Sequence, residues 1–181
     1  QGIEFANRVG FPVVLKLLSS SDLHKIDKGL VKLNIQNEQQ LGATWKELNS
    51  FLQGRSLTPS QIVIQKQVGG VELFIGMKRD KNFGPVISFG LGGIFVEVLN
   101  DIVLGVCPIN KKEGLEMIES IKGYEILQGY RGQVKVDIDK LADVLVAMSR
   151  LAMENENIKE IDFNPVFADG NNIMVADAKI I

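Results

Sequence analysis

This chain has no excess of charge of either sign: 20 Lys and Arg stand against 22 Asp and Glu in 181 residues. Without a surplus of cations there is no footprint for a nucleic-acid backbone and no polybasic patch for an anionic membrane. Cysteine is nearly missing too. The single Cys107 cannot close an internal disulfide, which points to a reducing, cytoplasmic setting. Apolar runs are only strand-sized, so no bilayer-spanning helix is expected. There is no charged-then-apolar leader, no internal repeat and no low-complexity tract. The first residue is Gln1 rather than Met, so a piece of something longer is expected. What is present is enough for a sizeable core, with 45% apolar residues.

Patterning along the chain alternates between periods of two and 3.6. A short helix over Gly2 to Val9 closes at Gly10, and strands follow at Pro12 to Leu18 and Leu30 to Ile35. The polar stretch Ser19 to Lys28 between them reads as a loop. Asn37 can cap a helix with Leu41, Trp45, Leu48 and Leu52 on one face. After a strand at Ile62 to Gln67, Val71 to Met77 and Pro85 to Phe89 form an antiparallel hairpin about Asp80-Lys81-Asn82-Phe83-Gly84. A strand at Ile102 to Pro108 and helices at Lys111 to Lys122 and from Asp137 or Asp139 to about Met153 come next. Strands at Ile158 to Phe163 and Ile173 to Ile180 close the chain. Helices mixed with antiparallel strands argue for two layers, α+β or α/β, rather than a parallel doubly wound sheet.

Chemistry concentrates near the C-terminus. Glu160-Ile161-Asp162-Phe163-Asn164-Pro165 ends one apolar run and Ala176-Asp177-Ala178 sits in the next. Read as adjacent strands joined by Ala168-Asp169-Gly170-Asn171-Asn172, they bring Asn164 and Asp177 side by side. Alternation puts Glu160, Asp162 and Asn164 on one strand face. Such oxygens suit Mg²⁺ when nucleotide phosphates complete its shell. The same pattern also fits the solvent face of an edge strand. Lys16, in Val13-Val14-Leu15-Lys16, fits a cation for a triphosphate or the exposed side of an alternating strand. His24, the only histidine, fits a phosphoryl-accepting nucleophile or an idle loop residue. Gly90-Leu91-Gly92-Gly93, followed by Glu97, offers N–H groups to an anion. No Gly-Lys-Ser/Thr and no dinucleotide fingerprint accompanies it, so a tight turn accounts for it better. Gln65-Lys66-Gln67 fits a hinge whose backbone holds an adenine edge, or a plain edge strand. Glu72 fits a ribose contact or a solvent-facing residue. Arg131, in a glycine-rich connection, fits an anion or partner contact, or no contact at all.

Longer stretches carry a resemblance: Gly10-Phe11-Pro12-Val13-Val14-Leu15-Lys16, Leu23-His24-Lys25-Ile26-Asp27, Phe83 to Glu97, Ile121-Lys122-Gly123-Tyr124, Gly129-Tyr130-Arg131-Gly132 and Glu160 to Val166. On these the chain resembles the ATP-grasp (β-type) subunit or domain of NDP-forming acyl-CoA synthetases, such as ADP-forming acetyl-CoA synthetase. The resemblance implies an α+β ATP-grasp fold, two α/β lobes with largely antiparallel sheets enclosing a nucleotide cleft. The lobes are expected at residues 1–67, lacking an N-terminal helical piece, and 68–181. It implies a relay: an acyl phosphate forms on a CoA-binding α-type partner, its phosphoryl group moves to a histidine there, and the phosphohistidine gives it to ADP. The cofactors implied are Mg²⁺ and ATP or ADP. By resemblance Lys16 binds phosphate, Gln65, Lys66 and Gln67 form the adenine hinge, and Glu72 holds the ribose. Asn164 and Asp177 ligate Mg²⁺, Asp162 and Glu160 lie near the phosphohistidine, and His24 is a second phosphoryl acceptor. Positioning and charge neutralisation are expected to supply most of the catalysis.

One stretch departs from the pattern. Lys28-Gly29-Leu30-Val31 stands where the family has small-Gly-Gly-Val, so a lysine replaces a small residue and a leucine a glycine. This leaves open whether that loop moves as in relatives. Two other functions stay open as well: a different ATP-grasp ligase, of the succinyl-CoA synthetase or carboxylate–amine ligase kind, and a non-catalytic nucleotide-sensing module.

Overall fold

The computed structural model describes residues 1–18, 30–53, 61–93, 101–130 and 134–181, with the side chains of Leu18, Leu52, Gln53 and Gln61 excepted. His24, Glu97, Arg131 and, of the departing stretch Lys28-Gly29-Leu30-Val31, Lys28 and Gly29 lie outside the described residues, whereas Leu30 is buried. The chain divides into two compact units, Gln1–Gln67 and Val68–Ile181.

The first unit is built on three antiparallel strands. β1 (Val13–Leu18) lies between β2 (Val31–Ile35) and β3 (Gln61–Lys66). Among the described residues it also has two helices, α1 (Gly2–Val9) and α2 (Glu38–Gln53). Asn37 starts α2 as its composition suggests: its Oδ1 accepts the Gln40 N–H at 2.9 Å, satisfying an amide that the first helical turn leaves open. Ala6, Val13, Leu15, Ile35, Leu41 and Leu48 form the core. Trp45 belongs to the same helical stripe, yet it is 41% exposed.

The second unit carries a six-stranded antiparallel sheet. β4 (Val71–Asp80) and β5 (Gly84–Leu91) form the expected hairpin, and the Asp80 carboxylate accepts the N–H groups of Asn82 and Phe83 in its turn. β6 (Ile102–Val106) flanks β5. On the other side of β4 lies β7 (Glu160–Asp169), which pairs in turn with β8 (Asn172–Val175) and β9 (Ala178–Ile180). The expected continuous strand from Ile173 to Ile180 is thus two strands, interrupted at Ala176-Asp177. Among the described residues its helices are α3 (Lys111–Glu119), α4 (Tyr124–Leu127) and α5 (Ile138–Glu154). A capping box of Asn110 and Glu113 starts α3, and the Asp137 carboxylate starts α5 by accepting the Lys140 N–H.

Period two decides which face of this sheet is dry. Leu73, Ile75 and Met77 of β4 and Ile87 and Phe89 of β5 are buried, and they share a core with Leu141, Leu145 and Met148 of α5. Each such side chain contributes on the order of 1.5–3 kcal/mol by leaving water. Arg79 fastens the end of α5 to the sheet by donating to the carbonyls of Ala152, Asn155 and Ile158. The Ala152 carbonyl is one that the last helical turn leaves open, and the other two follow the helix end. The opposite face of β4 presents Glu72, Phe74, Gly76 and Lys78.

Candidate functional site

The acidic site is made by a break in register. Along β4 and β7, Ile75 pairs with Phe163 but Leu73 pairs with Val166. Asn164 and Pro165 together therefore oppose Phe74 alone, which is a β-bulge. Proline explains it: Pro165 has no N–H for a ladder, and an interior strand accepts it only at such a point. Strict alternation consequently stops at Phe163. Ile161 faces the core before the bulge, and Val166 and Ala168 face it afterwards.

The bulge also sets what lies beside Asn164. Its N–H donates to the Asp177 carbonyl at 3.2 Å, and the Ala176 N–H donates to the Pro165 carbonyl at 2.9 Å. The gap between β8 and β9 thus sits against the bulge and puts Asp177 next to Asn164. One alternation away, Asp162 pairs with Gly76 on one side and Lys179 on the other. Glu160 pairs with Lys78. β7 is an interior strand, so the edge-strand explanation of these acids fails.

Asp162 is the electrostatic centre of the group. Its Oδ1 is buried and has no hydrogen-bond partner. Burial pushes its carboxyl above the ordinary aspartate range. Glu160 adds to the rise, Lys179 opposes it, and Asp177 raises it further. A buried acceptor with no donor is unfavourable unless something else supplies one.

These oxygens fit Mg²⁺. One carboxamide on β7 and one carboxylate at the break between β8 and β9, beside a buried unsatisfied carboxylate oxygen, form a hard donor set. Among the described residues no group of three or more His, Cys, Asp or Glu is arranged to hold a metal. The set is therefore incomplete without oxygens from a ligand, which is the usual arrangement for Mg²⁺ bound through phosphates.

Glu72 is half-buried on β4, on the same sheet face as Gly76 and hence as Asp162. Burial pushes its carboxyl up, and a hydrogen bond from the Gly93 N–H partly offsets this. Gly92 donates its N–H to the Glu72 carbonyl at 2.7 Å. Both glycines are thereby committed to Glu72, so the phosphate-cradling reading of Gly92 and Gly93 fails. So does a freely solvated Glu72.

In the first unit Lys16 is only 9% exposed, on the middle strand, opposite Val31 and Val63. A solvent-facing Lys16 is ruled out. β3 is an edge strand, and its ladder with β1 decides which amides are available. Gln67 donates its N–H to the Pro12 carbonyl. In an antiparallel pair such bonds recur at every second residue, so Gln65 also turns toward β1 and Lys66 turns to the outer edge. The Gln67 carboxamide is engaged with Asn34, accepting its N–H at 2.6 Å and donating to its Oδ1 at 2.7 Å. Of the three hinge candidates, Lys66 is the one whose own backbone groups face outward.

Two contributors escaped the sequence reading. Lys179 was legible, because it lies one alternation after Asp177. The glycine-to-Glu72 contacts were not, since nothing in the spacing links residues twenty apart.

The architecture and this site define a class: the chain belongs to the ATP-grasp family, whose domain matches residues 1–181. Within that class the match is to the β-type part of ADP-forming acyl-CoA synthetases. The chain is 41% identical over 186 residues to acetate–CoA ligase (ADP-forming) I subunit β of Pyrococcus furiosus, covering 100% of this chain and 79% of that one. It is 41% identical to acetate–CoA ligase (ADP-forming) I of Archaeoglobus fulgidus, covering 98% of this chain and 26% of that one. A solved structure of acetyl-coenzyme A synthetase 1 from Ca. Korarchaeum cryptofilum superposes with a TM-score of 0.85 at 39% identity, covering 99% of this chain and 80% of that one. That structure holds coenzyme A and Mg-AMPPCP, with a phosphohistidine segment pointing towards its nucleotide site. The chain thus spans most of a separate β subunit and about a quarter of the longer single-chain relative. Among the described residues no helix is long and apolar enough to cross a membrane.

Proposed function

We propose that this chain is the nucleotide-handling part of an acyl-CoA synthetase that runs acyl-CoA + ADP + phosphate to acid + CoA + ATP, and the reverse. Its partner is a CoA-binding α-type subunit or fused domain. There an acyl phosphate forms and hands its phosphoryl group to a histidine. The final step breaks that P–N bond and forms a P–O bond to the terminal oxygen of ADP, returning a neutral imidazole. A reducing cytoplasm is the setting that suits it.

The observation that carries this reading is the pairing of Asn164 with Asp177 at the bulge, next to the buried unpartnered oxygen of Asp162. Asn164 and Asp177 would hold Mg²⁺, which when bound neutralises phosphate charge and orients the oxygens. Asp162, with Glu160 beside it, accepts from the far imidazole N–H of the incoming phosphohistidine. This satisfies its orphaned oxygen and fixes the tautomer that leaves the other nitrogen to carry phosphate. Glu72 lies four residues from Gly76 along β4, about 13 Å away at strand rise. With side chains reaching in from both ends, a ribose diphosphate and an incoming phosphoryl group span that distance. Lys16 supplies a buried cation for the phosphates, the outer edge of β3 at Lys66 reads adenine, with Gln65 and Gln67 framing it, and His24 serves as a second phosphoryl acceptor. Charge neutralisation and alignment supply the rate, since phosphoryl transfer asks for little else from protein.

Calorimetry of ADP binding with and without Mg²⁺ tests the metal ligands. In the intact enzyme Mg²⁺ strengthens ADP binding, and Asp177→Ala removes that strengthening. An undiminished Mg²⁺ effect in the variant would refute the assignment.

A further inference from the structure

The glycine run at the end of β5 closes on a single side chain. Gly92 donates its N–H to the Glu72 carbonyl at 2.7 Å, and the Gly93 N–H donates to the Glu72 carboxylate. A side chain at either position would press on Glu72. A Cβ on Gly92 would lie 2.7 Å from Glu72 Cγ, and one on Gly93 would lie 3.1 Å from Glu72 Oε2. Gly93 also has φ +60°, where a side chain is strained whatever the space.

The strand end that carries these glycines is anchored from behind. Asp101 is buried, and its carboxylate accepts the N–H groups of Lys122 and Gly123 at 2.8 Å each. Gly123 in turn fits against Leu91 so closely that a Cβ there would overlap the Leu91 side chain. Gly90 is pressed in the same way against the Asp101 carbonyl. Asp101, Gly123 and Leu91 therefore hold the strand end, and the strand end holds Glu72.

We propose that Gly93, backed by Gly92, is the positioning residue that fixes the Glu72 carboxylate for the two vicinal ribose hydroxyls of the bound nucleotide. This rests on the reading of Glu72 as the ribose contact. A diol donates two hydrogen bonds, and a carboxylate has acceptor capacity for both while keeping one backbone N–H. A glutamate on a strand ordinarily loses rotamer freedom when it binds. One already tied to an anchored amide loses less, and its affinity for the diol rises accordingly.

The test compares ADP with 2′,3′-dideoxy-ADP, which lacks both hydroxyls, by calorimetry on the intact enzyme. The native protein should bind ADP about tenfold or more tighter, the range for hydrogen bonds to a charged group. Glu72→Gln should bring the ratio of the two Kd values to within about threefold, the effect expected when a charged acceptor becomes neutral. Gly93→Ala should do the same, with no further drop in the double variant. A merely structural loss would weaken both nucleotides alike and leave the ratio standing. If Glu72→Gln keeps the native ratio, the ribose reading falls and the positioning role with it. If Glu72→Gln collapses the ratio but Gly93→Ala does not, only the positioning role is overturned. Gly93→Asn, whose side chain tolerates positive φ, replaces Gly93→Ala should the latter not fold. Failure of both to fold would assign Gly93 to folding and overturn the proposal.

Discussion

Each unit contains a β-bulge, and the two are finished differently. In the first unit Leu33 and Asn34 of β2 oppose Val14 alone, and Asn34 has φ +59°. That bulge is closed: the Gln67 carboxamide takes up both the N–H and the side-chain oxygen of Asn34. In the second unit the bulge at Asn164 and Pro165 has its backbone satisfied by the strand break at Ala176-Asp177, while a carboxylate oxygen one alternation away is left buried without a donor. The same local irregularity is therefore a fold device in one place and a chemical opening in the other. What separates them is whether the polar groups are satisfied from within the protein.

One substitution tests that distinction with the largest effect. Asp162→Asn should lower ATP synthesis by the intact enzyme about a hundredfold or more, the range for a residue aiding proton placement. It should also raise the melting temperature of the nucleotide-free protein near neutral pH. The sign follows from linkage. Burial holds the Asp162 carboxyl above its ordinary range, so the folded state binds that proton more tightly than the unfolded chain. Stability then falls as pH rises from the ordinary aspartate value through the raised one. The variant escapes this loss, and its advantage should vanish in acid. A fall in both activity and stability would erase the contrast between the two bulges.

The cores sharpen the comparison next. Leu73→Ala, at a fully buried position of the larger core, should cost about 2–5 kcal/mol in urea unfolding. Asn34→Ala should cost about 1–2 kcal/mol, by losing the clasp with Gln67 and straining a positive φ. A stabilising Asn34→Ala would mean that this bulge too is held against its preference. The smallest effect belongs to the hairpin turn. The N–H of Asn82, then that of Phe83, holds the Asp80 carboxyl below the ordinary range. Its contribution is present above the ordinary aspartate value and is lost as pH falls through the lowered one. The advantage of the native protein over Asp80→Ala in chemical unfolding should therefore shrink in acid; an advantage that grows there would reverse the assignment.

Particular residues show how far patterning reached. The hairpin of β4 and β5, the caps at Asn37 and Asp137, and the approach of Asn164 to Asp177 were readable because each is set by a short turn, a cap or a connection between neighbouring segments. Lys16 was not decided by its strand, since alternation gives two faces without saying which is covered. Trp45 shares a helical stripe with the buried Leu41 and Leu48 yet is exposed, which spacing alone does not reveal. The bulge was signalled by Pro165, but its consequence for parity at Val166 needed the partner strand.

Local chemistry thus determined the elements, the antiparallel pairing and the residue types of the acidic group, because backbone periodicity and turn preference act over a few positions. Only the tertiary structure decided that Lys16 is buried, that Gly93 serves Glu72, and that an oxygen of Asp162 lacks a donor. Burial and hydrogen-bond satisfaction are properties of surroundings assembled from distant segments, and no run of sequence contains them.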